Sequence, residues 1–439
     1  MSARNNMSIM NQYQGSANRH RGRSIQNGVL GISVRSLLNI LVALILLGTV
    51  WRELSGNENI IEVGGYQITI ADPILIALLI LVLTTFSKAR ISKTWLTVSA
   101  LLFLSFFVLS LIRGLALEPM QALFFGRLYI IIPFAILSAS TINIGEFDRR
   151  SIFNLIFYSG IILSAIFYYK YITGFGAYDV HSRPLFTWGA FIIIAALSLT
   201  MIYQREIGFG RFPRIFIFFF AGALIGSGQG TALAAAALII VLIFALTSGR
   251  LLPTGVRIGI VASGLIVVLL FGSDFVDGFA GQSILSKWGE ERAGTSGGRQ
   301  VVWHTFLGEF SERTLFDRLF GLPMGKADVL FVNLEGNRIW KYSLHNAFLQ
   351  VLAFSGYSGL IFFSSCIFSI GISCVRLFGL HADRRMTIAA ASFAIMMLTY
   401  GISYDYRGDA AFHLLLPILL VRAAGASSRQ RRGVRGLEA

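Results

Sequence analysis

The chain has 439 residues, of which 55% are hydrophobic and only 13% charged. A soluble domain of ordinary composition is about a quarter charged, so the balance points away from a soluble enzyme and towards a polytopic membrane protein. Formal net charge is +15, which in a soluble protein would raise nucleic-acid binding. Here the arginines sort onto one side of the expected spans, so the positive-inside rule accounts for the charge and no nucleic-acid partner is expected.

Residues 1–35 form a polar, basic tail with Arg4, Arg19, Arg21, Arg23 and Arg35. It is too long for a signal n-region, and the first apolar run lacks a small-residue cleavage site, so that run is read as a retained span. Apolar stretches then recur near 36–51, 70–87, 94–112, 120–140, 151–172, 185–203, 212–226, 230–247, 255–273, 345–375, 386–404 and 410–424, about twelve spans in all. Lys88, Arg90 and Lys93, then Arg149 and Arg150, Arg205, Arg211 and Arg214, Arg250 and Arg257, and Arg376, Arg384 and Arg385 share the side of the N-terminal tail. The basic tail 425–439 joins them. This asymmetry predicts both termini in the cytoplasm.

The fold expected is an all-α polytopic integral membrane protein. Spans one to nine fill 36–273, a large external (periplasmic) loop fills 274–344, and spans ten to twelve fill 345–424. Loops of about 70 residues usually carry function. Inside this one, RQVVWHTFLGEFSER puts Val302, Phe306 and Phe310 at helical spacing beside Trp303, which predicts a short amphipathic helix on the outer membrane face. The following FGLPMGKAD is rich in turn formers.

Soluble-enzyme signatures are absent: no phosphate-cradling glycine loop with its lysine, no HExxH and no GxSxG. Cys366 and Cys374 fall in one predicted span and read as apolar fillers, with no metal pattern. The tripeptide Arg407–Asp409 is a chance RGD in a short loop.

Ionisable groups at membrane depth are costly and call for a reason. Arg127, in FFGRLYIIIPF, is either an anchor that snorkels to the outer interface or a cavity cation. Arg183 opens the sixth span, Arg407 lies in the last external loop, and Arg299 precedes the amphipathic helix. Singly, each is a solvated or headgroup-binding charge. Together they put several cations on the face where His345 enters its span, which suits an anionic ligand such as a lipid-linked diphosphate. His345 itself, in YSLHNAFLQVLAFSGYSG, is either an interfacial residue or a proton acceptor near neutral pH. Gly356 and Gly359 follow it by eleven and fourteen residues and would share one helix face, permitting close packing.

The pattern His345, Asn346, nine residues, Gly356, two residues, Gly359 resembles the signature of the O-antigen ligase and polymerase superfamily of bacterial envelope glycosyltransferases. The loop segment SGGRQVVW resembles that family's Gly-Arg-x-x-x-Trp stretch, which sets Arg299 on its functional arginine and Trp303 on its aromatic. The resemblance implies a multi-pass protein of the bacterial inner membrane, acting on an undecaprenyl-diphosphate-linked glycan. His345 and Arg299 would be catalytic, and Arg183, Arg127, Asn346, Gln229, Trp303 and Arg407 would contact diphosphate or glycan, without metal or cofactor. The partners implied are the lipid bilayer and a chain-length regulator. One departure stands out: SGQGTAL puts Gln229 where ligases carry an arginine, a form closer to exopolysaccharide polymerases. The expected activity is therefore polymerisation of lipid-linked repeat units. The alternatives are ligation of a finished glycan to lipid A–core, and transport or flipping without covalent change.

Overall fold

In the computed structural model the described residues are 33–55, 59–63, 66–69, 71–88, 94–173, 185, 187–203, 206, 213–227, 229–247, 302–325, 330–333, 339–342, 344–379, 383–404, 406 and 411–438. They form a helical bundle with two short hairpins. Its elements, in chain order, begin with α1 (Val34–Ser55), β1 (Asn59–Val63), β2 (Tyr66–Thr69), α2 (Ala71–Lys88), α3 (Trp95–Leu117), α4 (Pro119–Tyr129) and α5 (Ile131–Thr141). Then come α6 (Arg149–Thr173), α7 (Thr187–Tyr203), α8 (Pro213–Ser227), α9 (Gly230–Thr247), α10 (302–312) and α11 (Leu315–Phe320). The last are β3 (Leu330–Asn333), β4 (Ile339–Tyr342), α12 (Ala347–Gly379), α13 (Arg384–Ser403) and α14 (Ala411–Glu438).

Among the described residues, six helical segments are long and apolar enough to cross a bilayer: α1, α3, α4 with α5, α6, α12 and α13; shorter apolar helices accompany them. The protein is a polytopic helical membrane protein. The predicted span 255–273 lies outside the described residues. In such helices every backbone polar group is satisfied within the segment, and buried hydroxyls turn back on the preceding turn. Thr49 donates to the Ile45 carbonyl, Thr84 to Ile80, Ser198 to Ile194 and Thr399 to Ile395.

The packing brings distant parts of the chain together. The α12 helix lies along α3, α13 along α14, and α14 along α5, while α9 packs on both α13 and α7. One apolar core runs through all of them, with Phe103 against Phe363 and Tyr129 against Phe354. Arg35 at the start of α1 pairs with Asp148, and Arg149 at the start of α6 faces Asp383 before α13. Arg422 of α14 donates to the Ala139 carbonyl near the end of α5, whereas Asn346 bonds Ile402 at the far end of α13. The start of α1 and the Arg422 part of α14 therefore lie at one end of the bundle, and His345 lies at the other.

Three helices depart from straight spans. The α4–α5 break falls at Tyr129–Ile130, where Pro133 offers no amide to Tyr129 and its ring would collide with that carbonyl. The α14 helix continues beyond its apolar part, through the basic tail to Glu438. The α12 helix is interrupted at Gly356, with φ 64° and ψ −169°, a region open to glycine almost alone. The two glycines of the motif therefore do not share a continuous helix face. The hairpins β1–β2 and β3–β4 are antiparallel, with Val63 opposite Tyr66 and Val332 opposite Trp340; no expectation from sequence covered either.

The Gly356 interruption has a structural occupant. A side chain there would strike the backbone of Leu319 and Gly321, and one at Gly321 (φ 87°) would strike Phe354 and Ser355. Backbone thus meets backbone, and the Leu322 amide donates to the Ala353 carbonyl at 2.7 Å. The segment goes on along α3, where the Met324 amide donates to Ser110 O and the Ser110 hydroxyl to Leu322 O. Arg113 donates to the Gly321 carbonyl and pairs with Asp317. In this way α11 and the turn after it are clamped across α3 and α12.

Candidate functional site

At the His345 end, α12 starts from a side-chain cap. Asn346 Oδ1 accepts from the amides of Phe348 (3.0 Å) and Leu349 (3.1 Å), satisfying two of the four donors a helix start leaves open. Its Nδ2 donates to the Ile402 carbonyl at 3.0 Å, tying the cap to the end of α13. His345, half-buried, is the only non-glycine residue with positive φ (46°) among the described residues. Histidine tolerates positive φ better than most residues, yet the conformation is uncommon. Before it, the Leu344 carbonyl accepts from the indole Nε1 of Trp303 at 2.7 Å. Trp303 lies on α10, whose Val302, Phe306 and Phe310 are buried in the core. Residues 41 apart in the chain thus hold the histidine's preceding peptide.

The start of α9 reaches the same place through the next residue of α13. Thr231 donates to or accepts from Ser403 at 3.3 Å, one residue beyond the Ile402 carbonyl that holds Asn346. Gln229, 2% exposed, precedes α9. Its Nε2 donates to the Leu185 carbonyl, and its Oε1 has no hydrogen-bond partner among the described residues. Because Leu185 offers an acceptor, the amide orientation is set, and the free atom is itself an acceptor. Under this rim Tyr400 stacks against Tyr406 and His413, forming an aromatic floor.

Beside Leu185 and Gly189 lies Glu53, 1% exposed, whose backbone carbonyl accepts from Lys170. Arg52, its neighbour, lies over the Trp188 ring at 4.1 Å.

The structure therefore brings His345, Asn346 and Trp303 together and links Gln229 to them through Ile402 and Ser403. Arg127 is placed differently. Its Nη1 donates to both carboxylate oxygens of Asp72 at 2.9 Å, and its guanidinium lies over Phe124. Asp72 also accepts from the Thr69 amide, so the pair joins α4, the β1–β2 hairpin and α2. A guanidinium matched to its own carboxylate offers an incoming anion less field than an unmatched one. Arg299, Arg183 and Arg407 lie outside the described residues.

Sequence reasoning missed the end of α13 and the partner of Arg127. The Ile402 carbonyl leaves no trace in sequence, since any residue supplies one. Asp72 did leave a signal, as an acid at the mouth of an apolar span.

No curated protein matches the chain. Residues 215–364 match the family model described as O-antigen ligase. That stretch holds Gln229, Trp303, His345, Asn346 and both motif glycines, and over it the chain is similar to the O-antigen ligase/polymerase superfamily.

Proposed function

We propose that the protein polymerises undecaprenyl-diphosphate-linked oligosaccharide repeat units at the periplasmic face of the bacterial inner membrane, with both termini cytoplasmic. The observation that carries this reading is the pinned His345, set at the mouth of α12 within the O-antigen ligase segment. In the step proposed, the imidazole takes the proton from an acceptor hydroxyl as that oxygen attacks the anomeric carbon of the donor. The bond from that carbon to the diphosphate oxygen breaks, and lipid diphosphate leaves with the electron pair. Displacement from the opposite face inverts the anomeric configuration.

The leaving diphosphate gains charge, which fixed guanidinium groups stabilise without proton transfer. Arg299 is the first candidate, since it stands four residues before Trp303 in sequence and matches the family's arginine. Arg183, two residues before Leu185, and Arg407, one after Tyr406, are the next. Arg127 contributes less in this scheme because Asp72 already balances it. The free amide oxygen of Gln229 suits a sugar hydroxyl, which can donate, better than a phosphate oxygen, which cannot.

The second reading is an O-antigen ligase moving a finished glycan from the same donor to lipid A–core; the description of the matching family favours it. Purified protein given lipid-diphosphate-linked repeat units in detergent, without nucleotide or metal, separates the readings. A ladder of longer lipid-linked glycans supports polymerisation. Product formed only after lipid A–core is added makes the protein a ligase. No covalent product under either condition defeats both and leaves transport.

A further inference from the structure

We infer that Trp303 is a positioning residue for His345, acting through its indole N–H and not through its ring face. The inference rests on the reading of His345 as the group that activates the acceptor hydroxyl. The Leu344 carbonyl and the His345 amide belong to one rigid, planar peptide unit. A hydrogen bond to that oxygen therefore sets the plane from which the φ of His345 departs, and with it the direction of the Cα–Cβ bond. Trp303 Nε1 makes that bond at 2.7 Å. On the other side, Asn346 is fixed by the Ile402 carbonyl and by its own cap of α12. A non-glycine residue with φ 46° persists only where its neighbours over-determine it. Here both neighbours are held, by elements on opposite sides of it in the chain.

The buried face of α10 keeps the clamp in place. Val302, Phe306 and Phe310 lie in the core, and the Phe310 ring packs edge-on against Tyr357 just after the α12 interruption. Trp303 is thereby fixed with its N–H turned towards Leu344. A tryptophan serving as a stacking platform for a sugar ring would need its face, and a phenylalanine would keep most of that function. A tryptophan serving as a clamp needs its N–H, and phenylalanine would abolish it.

The W303F substitution therefore separates the two roles. Misplacing a catalytic group by a fraction of an ångström to one ångström costs up to about 100-fold in rate. In the polymerisation or ligation assay, W303F is expected to lower kcat by about 10- to 100-fold. KM for the lipid-linked donor and the thermal midpoint should stay near those of the parent protein. In an H345A background, where no imidazole remains to be aimed, W303F should leave the residual rate unchanged. A parental kcat in W303F, a raised KM with kcat intact, or the same proportional loss in both backgrounds would overturn the inference. A parental rate in H345A alone would remove the base assignment, and the inference with it; W303F cannot mimic that result.

Discussion

The two ends of the bundle are held by different balances of the same kinds of bond. At the end opposite His345, charge meets charge: Arg149 faces Glu206 and Asp383, Arg385 pairs with Glu206, and Arg35 with Asp148. Most of these groups are well exposed, with the Arg385 and Glu206 side chains at 60% and 46%. At the His345 end, the more buried ion pairs Arg113–Asp317 and Arg127–Asp72 stand beside side-chain donors to backbone carbonyls: Trp303 to Leu344, Asn346 to Ile402, Gln229 to Leu185, Ser110 to Leu322, Arg113 to Gly321. Exposed ion pairs are weakly directional and screened by salt. A hydrogen bond to a buried carbonyl demands one geometry and leaves an unsatisfied group when lost. The first arrangement holds helix ends near one another, and the second gives irregular backbone one defined shape, which chemistry requires.

Substitutions that break this contrast should rank accordingly. H345A is expected to have the largest effect, a loss of about 10²–10⁴ in kcat if the imidazole is the base, read from initial rates of glycan ladder formation. A rate unchanged across pH would sink the assignment. R299A should follow with a tens- to thousand-fold loss, roughly the range for groups that stabilise developing charge. A well-folded R299A protein with full polymer yield would remove that arginine from the mechanism.

Next comes the clamp between α11 and α12. G356A forces a side chain into a conformation costing about 1–3 kcal/mol and against the Leu319 carbonyl. The expected result is a lower thermal midpoint and faster proteolysis within 315–325. An unchanged melting curve would show that the two glycines do not hold the segment.

The ion pairs opposite should matter least. E206A is expected to cost at most about 1 kcal/mol, less at high salt, in thermal melts across a salt series. Arg35 adds a pH signature. Burial tends to raise the carboxyl of Asp148, but the Arg35 hydrogen bond and charge and the amides of Ser151 and Arg150 outweigh it and hold the group below its ordinary 3.8. A carboxylate with a depressed value contributes its stability above the ordinary one and loses it as pH falls through the folded-state value. R35A should therefore differ from the parent at neutral pH and converge with it in acid.

Much of the fold was legible because a run of about 20 apolar residues has one economical reading near a bilayer. The α1, α3, α6 and α13 helices lie where hydropathy put them. The break before Pro133 was not anticipated, since 120–140 was read as one span. What else escaped were features made by contact. Gly356 sits in an apolar run that reads as unbroken helix, and only the backbone of Leu319–Gly321 explains why it is not. The two hairpins are four or five residues per strand, too short for alternation to distinguish from loop. At the site, the identities of His345 and Asn346 were visible as a motif. The acceptors that hold them were not, since backbone carbonyls have no sequence signature.

The clamp across α3 also sets a schedule for biosynthesis. Ser110 and Arg113 are 212 and 208 residues upstream of the carbonyls they hold. At about 5–20 residues per second, roughly 10–40 s of translation separates them. During that interval α3 has been made but lacks the segment that covers one end of it. The Asn346 bond to Ile402 waits for a further 56 residues. The histidine's backbone therefore reaches its final form only as the last helices are made, so a chain stalled before α13 would hold most of its membrane domain without a finished site.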